Sequence, residues 1–379
     1  MQLKDLFNEQ SVAALADAIH REHPPFNEET FATRVFDEGW TARELKERMR
    51  HITTVLHGLL PPDYRATLDI LRRALPSFAE SGFVKIVFPD YVEVYGMNDW
   101  EASIPALETF TREISAEFAI RPFIVQYPDR TMAQMLEWTQ HENPDVRRLA
   151  SEGCRPRLPW GIALPALKAD PSPILPILER LKHDASESVR RSVANNLNDI
   201  SKDNPEIVLD VLQRWKAQGT DEIRWITNHA LRTLLKKGHS GALELLGYSS
   251  NPEIAVRHLA VEPEAIRIGD KVTLSFDIES LSDQPQDLMI DYVVYHVKAN
   301  GQLSPKVFKL TKKTLQPGQV LHVTKRHSFA PVTTRKYYPG EHALEPQVNG
   351  KLFGRVEFTL NEKTHPSPHR ATAKKGATG

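Results

Sequence analysis

The length, composition and charge of this chain exclude several classes of protein. Its 379 residues, 40% of them hydrophobic and 26% charged, are typical of a globular protein with two or three domains. The formal net charge of −1 does not by itself suggest a nucleic-acid partner, so any such partner must be recognised by a local surface.

The cysteine count and the first residues exclude further classes of protein. The single cysteine, Cys154, cannot form an internal disulfide, and without companion ligands it argues against structural zinc. The opening MQLKDLFNEQ is charged and helix-like rather than a signal peptide, and no apolar run approaches the roughly 18 residues of a membrane helix. We therefore expect a cytoplasmic protein in which Cys154 is a small buried residue rather than a catalytic nucleophile.

Residues 1–261 have a helical pattern. Apolar residues recur at spacings of three and four, as in Leu45, Met49, Ile52 and Leu56, and Pro or Asn-Pro steps punctuate the ends of the segments. Strand-like alternation is scarce in this part of the chain. The pattern predicts a mainly α-helical region.

Three segments of this region resemble one another. VRRLASEG begins at Val146, VRRSVANN at Val189 and IRWITNHA at Ile223, which gives spacings of 43 and 34 residues. Each segment follows an acidic residue or turn and a preceding amphipathic helix, and the spacing is close to that of a HEAT-type helix pair. We therefore predict a HEAT-like α-solenoid over residues 1–261, whose second helices line one concave face.

Alignment of the three segments places polar side chains at equivalent positions. Glu152, Asn195 and His229 share one register, and Asp199 lies one helical turn after Asn195. The stretch VANNLNDISKDNP carries four short polar side chains in one predicted helix, against helix propensity, which favours a functional reason for them. Trp160 follows Glu152 by eight residues, but two intervening prolines favour a break in that helix.

Basic side chains recur beside these polar positions. On the predicted concave face they would form a groove for DNA phosphates. For any single arginine, an ion pair with an acidic neighbour in the next repeat is an equally good explanation. The predicted DNA-binding residues of the helical region are Arg147, Arg148, Arg155, Arg157, Arg190, Arg191, Arg224 and Lys202.

Strand patterns replace helical ones in residues 262–361. In KVTLSFDIES the alternation places Val272, Leu274, Phe276 and Ile278 on one side, and further short strands follow between turns such as QPGQ and VNGK. About 100 such residues are enough for an all-β immunoglobulin-like sandwich. Residues 362–379, rich in Thr, Lys, Pro, His and Ala, are predicted to be a disordered basic tail.

The predicted sandwich has a local excess of positive charge. Eight basic side chains and no acidic one lie between residues 304 and 336. Such a surface favours phosphate contacts, and a solvated strand face without a partner is the alternative. The candidate DNA-binding residues here are Lys309, Lys312 and Lys313.

Three motifs together resemble one known family. SAEFAIRPFI (115–124), VRRLASEGCRPRLPW (146–160) and SVANNLNDISKDNP (192–205), followed by a sandwich, are similar to the AlkC branch of the HEAT-like-repeat DNA glycosylases, relatives of AlkD. The resemblance covers nearly the whole chain. It implies that Glu117, Glu152 and Asp199 are the active-site carboxylates and that Trp160 lies beside the lesion. Asn195, in register with Glu152, is a second candidate for contacting the lesion.

The chemistry expected of that family fits these residue types. An N3-alkylated adenine or cytosine is cationic, so it departs as a neutral base without a proton donor. Carboxylates near the sugar stabilise the developing oxocarbenium ion and activate water. The face of a tryptophan adds a cation–π attraction of about 0.5–2 kcal/mol to a charged base.

We therefore predict a monofunctional DNA glycosylase that hydrolyses the N-glycosidic bond of 3-methyladenine, with 3-methylcytosine as a second candidate substrate. The resemblance implies that it acts on an open surface without base flipping. We expect no metal or cofactor, because no metal-ligand spacing such as HExxH is present. The expected partner is duplex DNA containing alkylated bases, bound by a monomer that associates with the nucleoid.

A second class of function stays open at this point. A non-catalytic HEAT-repeat scaffold would use the same inner face to bind a protein or undamaged nucleic acid. An enzyme should gather Glu117, Glu152, Asp199 and Trp160 in one site, whereas a scaffold would scatter them.

Overall fold

The computed structural model describes residues 2–78, 82–333 and 335–362. The contacts of the chain divide it into two compact units, Met1–Thr233 and Leu234–Gly379. Within the described residues, no helix is long and apolar enough to cross a membrane, and no group of His, Cys, Asp and Glu side chains is arranged to hold a metal ion.

Helices build the first unit and extend to residue 245. Their bounds are α1 Glu9–Glu22, α2 Glu28–Val35, α3 Leu45–His57, α4 Tyr64–Ala74, α5 Val87–Tyr95, α6 Trp100–Thr111, α7 Ile120–Gln126, α8 Pro128–Trp138, α9 Pro144–Glu152, α10 Pro165–Ala169, α11 Leu175–Leu181, α12 Glu187–Ile200, α13 Pro205–Lys216, α14 Asp221–Ala230, α15 Arg232–Lys236 and α16 Ser240–Leu245. The prediction of a mainly helical part followed by a β-rich part is confirmed.

Several of these helices begin at a polar capping residue or at a proline in the first turn. Asn143 Oδ1 accepts a hydrogen bond from the Asp145 amide at the start of α9, and proline occupies the first helical position there. Thr220 caps α14 in a similar way, through a bond from the Ile223 amide. Such caps satisfy amides that have no partner inside the helix, and a proline at that position removes one of them.

Successive helices pack in pairs along the segment that contains the three similar sequences. Within each pair, α8 packs on α9, α11 on α12 and α13 on α14, while α9 also packs on α12 and α12 on α14. Side chains connect the second helices directly, since Ser151 Oγ donates to Ser192 Oγ at 2.7 Å and Asn196 Nδ2 donates to the Ser151 carbonyl at 2.8 Å. The repeated sequences therefore occupy adjacent helices.

Strands build the second unit. They are β1 Ile254–Glu262, β2 Ala265–Arg267, β3 Lys271–Ser280, β4 Gln286–Val297, β5 Leu303–Leu315, β6 Val320–Ser328, β7 Gly340–Val348, β8 Lys351–Leu352 and β9 Val356–Asn361. One sheet has the order β1-β3-β6, and the other has the order β2-β9-β7-β4-β5, with β8 paired to β7. Apart from the parallel β2–β9 pair, the described strands pair antiparallel.

The two sheets share one apolar core. Val272, Leu274, Phe276 and Ile278 of β3 are all buried in it, as their alternation predicts. Residues of β4, β7 and β9 complete the same core. The β-rich region therefore buries one face of each sheet, which is the arrangement of a sandwich.

The strands begin earlier than the expected boundary between residues 261 and 262. β1 starts at Ile254 and pairs with β3, with Val256 opposite Ile278. An irregularity between Arg257 and Ala260 shifts the register, so apolar residues on the two sides of it do not follow one simple alternation. Because of that shift, the alternation of apolar residues did not predict strand β1. The predicted disordered tail lies, apart from Glu362, outside the described residues.

Candidate functional site

A buried ion-pair network connects α9 with α12. Glu152 and Asp199 are 5% and 1% exposed, and the guanidinium of Arg155 lies between them. Arg155 donates to Glu152 Oε1 at 2.6 Å and, through Nε and Nη2, to Asp199 Oδ2 at 2.8 Å. Burial opposes the charge of Arg155, but Glu152 and Asp199 raise its pKa above the usual value. The two predicted carboxylates are thus brought to one cation.

The third predicted carboxylate joins the same network through a second arginine. Arg148 Nη1 donates to Glu117 Oε2 at 2.9 Å, and its Nη2 lies 3.6 Å from Glu152 Oε1. Ser115 Oγ also donates to Glu117 Oε2, at 2.9 Å. Arg148 therefore bridges Glu117 and Glu152 as Arg155 bridges Glu152 and Asp199.

A cavity of about 320 Å³ lies beside this network. Glu152 and Arg148 line one side of it, and Ser192, Asn195 and Arg191 of α12 line another. The Asn195 side chain is oriented by its neighbours, because its Oδ1 accepts from Arg232 Nη2 at 3.0 Å and lies 3.0 Å from His229 Nε2. The register of Glu152, Asn195 and His229 thus brings these positions close together in space.

Two other asparagines of α12 have structural roles. Asn196 is fully buried and bonds to the Ser151 carbonyl, and Asn198 Oδ1 accepts from the Thr233 amide at 3.3 Å. Their unfavourable helix propensity is therefore offset by contacts with other parts of the chain rather than by a role at the cavity.

Trp160 lies in the loop after α9 and is 59% exposed. Its φ of 65° is in the left-handed region, which is unusual for a bulky residue. The helix ends at Glu152, ahead of Pro156 and Pro159, so the indole is presented from irregular backbone. This exposure is incompatible with Trp160 as a core residue. Trp160 is not among the residues that line the cavity beside Glu152, so its expected place in one site with the carboxylates stays a prediction.

A buried arginine that the sequence reasoning did not single out holds this loop. Arg121 of α7 is 0% exposed and donates to the carbonyls of Gly153, Arg155 and Ile162 at 2.8, 2.8 and 2.6 Å. Burial lowers the pKa of Arg121 to about 10. Arg121 lies inside the motif SAEFAIRPFI, but nothing in the sequence shows that its partners are backbone carbonyls.

Cys154 is buried beside Arg121, as expected. Its Sγ lies 3.2 Å from the Ala150 carbonyl oxygen, and burial raises the pKa of the thiol to about 12. A thiol that is protonated at neutral pH is a poor nucleophile. Cys154 therefore belongs to the packing beneath the loop.

Several of the predicted DNA-binding arginines make ion pairs or loop contacts. Arg147 bonds to both carboxylate oxygens of Asp184, at 2.6 and 3.0 Å, and Arg190 donates to the carbonyls of Asp184 and Ala185. These contacts fasten the turn before α12 and correspond to the structural alternative for single arginines. Arg155, which is 7% exposed, differs from the exposed groove contact expected of it, because it is enclosed by two carboxylates.

The other basic residues of the helical unit are more accessible. Arg191 and Arg224 have side chains 58% and 63% exposed and pair within their own helices with Glu187 and Asp221. Arg157 makes a two-point contact with Asp203, and Lys202 Nζ lies 2.8 Å from Asp199 Oδ1. The exposed pairs of Arg157, Arg191 and Arg224 contribute little stability and leave these cations available to a phosphate. Lys202 differs from them, because its partner Asp199 is buried.

The three predicted lysines of the second unit lie on β5 and are exposed. β5 is at the edge of its sheet, paired only with β4 among the described strands. Lys309 is opposite Asp291, whose carboxyl is buried. Burial raises the pKa of Asp291 to about 6, although the positive charge of Lys309 has the opposite effect. Lys312 Nζ lies 5.4 Å from the centre of the Tyr248 ring.

Comparison with known proteins assigns both parts of the chain. Residues 109–234 match the family described as DNA alkylation repair enzyme. Residues 255–362 match the family described as the C-terminal Ig-like domain of the uncharacterised protein YhaZ. The β-rich unit is therefore immunoglobulin-like, as predicted.

Two full-length relatives agree with this assignment. The uncharacterized protein YhaZ of Bacillus subtilis (strain 168) is 45% identical over 359 residues, which cover 94% of this chain and 99% of the relative. A solved structure of the Pseudomonas fluorescens alkylpurine DNA glycosylase AlkC, bound to DNA containing an abasic site analog, matches with a TM-score of 0.90 and 40% identity. That match covers 95% of this chain and 100% of the solved chain. The chain therefore belongs to the AlkC-type family of DNA alkylation repair enzymes.

Proposed function

We propose that this protein is a monofunctional DNA glycosylase that removes cationic alkylated bases, chiefly 3-methyladenine, from duplex DNA. The observation that carries the proposal is the single network of Glu117, Glu152 and Asp199, connected by Arg148 and Arg155. A scaffold has no need to connect three carboxylates in one network, one of them lining a cavity. The relative of known activity is an alkylpurine DNA glycosylase.

The reaction requires negative charge more than it requires an acid. When the C1′–N bond of a cationic base breaks, the bonding electrons go to the base and neutralise it, and positive charge develops on the sugar. Water then adds to C1′ and releases a proton. Glu152 lines the cavity, and the buried Asp199 is joined to it through Arg155. Together they supply fixed negative charge for the sugar, and Glu152 offers an acceptor for that proton.

The arginines determine how that charge is presented. Arg155 fixes the positions of Glu152 and Asp199 because each carboxylate accepts a charge-assisted bond from the same planar guanidinium. The three carboxylates are balanced by Arg148, Arg155 and Lys202, so the resting network is close to neutral. A cationic base therefore meets fixed, oriented carboxylate oxygens rather than a concentrated excess of negative charge that would repel DNA phosphates.

Trp160 supplies the second interaction with the base. Its exposed indole offers a π face to a positively charged ring, an attraction of about 0.5–2 kcal/mol that a neutral base does not gain to the same extent. We propose that this preference, together with the lability of the cationic base, selects 3-methyladenine and 3-methylcytosine. An exposed tryptophan suits recognition on an open surface without base flipping.

The helix pairs would provide that surface. The contacts of α9 with α12 and of α12 with α14 support a HEAT-like solenoid, in which the second helices lie side by side and line a concave face. Phosphate contacts would come from Arg191, Arg224, Arg157 and Lys202. The exposed lysines of β5 would add a second basic surface, contributed by the immunoglobulin-like unit.

Release of methylated bases tests the proposal. Purified protein is incubated with methylated duplex DNA, and the free bases are separated and quantified against a buffer control. We expect 3-methyladenine to be released with an intact abasic strand as the other product. Absence of release above the control, with DNA binding retained, would instead establish the scaffold alternative. Strand cleavage at the abasic site would contradict the monofunctional assignment.

A further inference from the structure

The loop that carries Trp160 has little regular hydrogen bonding of its own. Between the end of α9 and the start of α10, backbone bonds join Arg155 to Glu152, Gly161 to Leu158 and Leu164 to Pro156. Trp160 adopts a left-handed backbone conformation that an exposed aromatic side chain does not stabilise by packing. The bond from Gly161 to Leu158 closes a turn with Pro159 and Trp160 at its centre, and contacts from outside the loop add to it.

One external contact is made by Lys46, which lies on α3, 114 residues before Trp160. Its Nζ donates to the Trp160 carbonyl oxygen at 2.8 Å. The same ammonium group lies 5.0 Å from the centre of the Phe118 ring, next to Glu117 in the chain. Lys46 is exposed, so these two contacts, rather than packing in the core, determine where its ammonium group lies.

This contact acts on the peptide unit that determines how the indole is presented. The Trp160 carbonyl and the Gly161 amide belong to the same planar group. Lys46 holds its oxygen, and the Leu158 carbonyl accepts from its N–H at 3.1 Å. With both ends of the plane bonded, rotation about the ψ angle of Trp160 is restrained.

Arg121 holds the two flanks of the same loop. It bonds to the carbonyls of Gly153 and Arg155 before Trp160, and to that of Ile162 after it. Gly161 permits the close approach, since a Cβ atom there would lie 3.1 Å from Arg121 Cδ. The loop is thus fixed at its flanks by a buried cation and at its centre by an exposed one.

We propose that Lys46 is a positioning residue that holds the backbone of Trp160 so that the indole faces the alkylated base. The inference rests on the proposed function for the role of Trp160, but the placement of the indole by Lys46 stands on the contacts alone. In Lys46→Met the aliphatic stem is retained and the hydrogen-bond donor is lost. Trp160 is then free to leave its left-handed conformation.

A spectroscopic test separates placement from catalysis. The full chain is labelled with 5-fluorotryptophan, and the ¹⁹F resonance of Trp160 is identified as the one missing from Trp160→Ala. We expect Lys46→Met to shift or broaden that resonance and Lys46→Arg to restore most of it. Lys4→Met, which removes another lysine whose partner is Glu44, is the matched control and should leave it unchanged. An unchanged Trp160 resonance in Lys46→Met would overturn the proposal.

Kinetics then test what the placement does. We expect Lys46→Met to lower the single-turnover excision rate of 3-methyladenine about tenfold or more, as small misplacements can, with the Kd for DNA unchanged. The double variant Lys46→Met/Trp160→Ala should be no slower than Trp160→Ala alone.

Each kinetic outcome has a distinct meaning. Weaker DNA binding with a flatter salt dependence and an unchanged excision rate at saturating protein would make Lys46 a phosphate contact and overturn the positioning role. Multiplicative effects in the double variant would also overturn it. If the resonance moves but Trp160→Ala excises at the full rate, the proposed role of Trp160 fails while its placement by Lys46 stands.

Discussion

At the scale of single residues, Arg155 shows how the site combines structure with chemistry. Its guanidinium is shared by Glu152 and Asp199, so the same contacts that hold α9 to α12 also orient the carboxylates. Removing either acid leaves a buried cation with one partner fewer, and for a buried ion network that loss is felt in stability as well as in rate.

The carboxylate variants should therefore show two effects. We expect Asp199→Asn and Glu152→Gln to slow excision by roughly 10², because one preorganised charged group is lost, and to lower the free energy of unfolding by about 1–3 kcal/mol. Single-turnover kinetics and urea unfolding measure the two effects. Asp203→Asn is the matched control, since its partner Arg157 is exposed, and it should change neither quantity much. Full excision rates in both site variants would remove the carboxylates from the mechanism.

Trp160 offers a test that separates stability from function. Glycine accepts a φ of 65° without steric cost, so Trp160→Gly should be at least as stable as Trp160→Ala and slow the excision of cationic bases to a similar extent. Trp225→Ala removes another exposed tryptophan, 38% exposed, as a control. A large drop in melting temperature for Trp160→Ala would show that the side chain supports the fold.

At the scale of elements, β5 carries the exposed lysines that we propose as phosphate contacts. Lys309 is the least suitable of its lysines for charge reversal, because a carboxylate there would face the buried Asp291. We expect Lys312→Glu/Lys313→Glu to weaken DNA binding and to reduce the slope of log K against log salt by about 0.9 for each lost contact. Lys271→Glu/Lys298→Glu makes the same charge change elsewhere in the unit, and an equal effect from it would argue against a specific role for β5.

Three buried histidines connect β4, β6 and β7 and should make the second unit sensitive to acid. Burial is the main cause that lowers the pKa of His296 to about 3, that of His327 to about 4 and that of His342 below its usual value. Arg335 and Lys306 lower the first two further. The imidazoles of His296 and His327 therefore take up protons near pH 6.5 in the unfolded chain but only at about pH 4 or below in the folded state, so the free energy of unfolding decreases as the pH falls through this range. The lowered pKa of His342 acts in the same direction.

Urea unfolding at pH 7.5, 6 and 5 measures this dependence. Asp291 has the opposite effect on the pH dependence, because its raised pKa of about 6 adds stability at low pH that is lost as the pH rises. The three histidines outnumber this one carboxyl, so we expect their effect to dominate. His296→Phe should flatten the profile, because both ring nitrogens of His296 lack a hydrogen-bond partner among the described residues. His183→Gln, at an exposed imidazole whose partner is the uncharged Gln218, should leave it unchanged. Stability that rises on acidification would contradict the assignment.

At the scale of the whole molecule, the division into two units predicts the result of truncation. A chain ending at Thr233 keeps the complete carboxylate network and Trp160, so we expect it to fold as a helical protein by circular dichroism. It lacks the basic surface of β5, and we expect little excision at physiological salt. A chain ending at Val261 would retain most of β1 without its partner β3, which exposes apolar residues such as Val256. Excision by the shorter chain as fast as by the full chain would show that the immunoglobulin-like unit serves another purpose.

The sequence by itself determined the order of the two units, the buried face of β3 and the candidate carboxylates. Each depends on local periodicity or on a motif: a period of two places Val272 to Ile278 on one face, and the motif residues Glu117, Glu152 and Asp199 come from short contiguous segments. The start of β1 was not predicted, because the irregularity after Arg257 shifts the register of this strand. Asn196 and Asn198 were interpreted as functional from their low helix propensity, but they have structural partners in other parts of the chain.

Only the tertiary structure decided which cations lie in the carboxylate network and which make other contacts. Arg147, Arg155 and Arg191 look alike in sequence, yet one fastens a turn, one is buried between two carboxylates and one is exposed. Lys46 and Arg121 were missed altogether, since their partners are backbone carbonyls in the loop around Trp160. The physical reason is that the deciding contacts join residues far apart in the chain, as Lys46 and Trp160 are 114 residues apart, and local patterns do not record such distances.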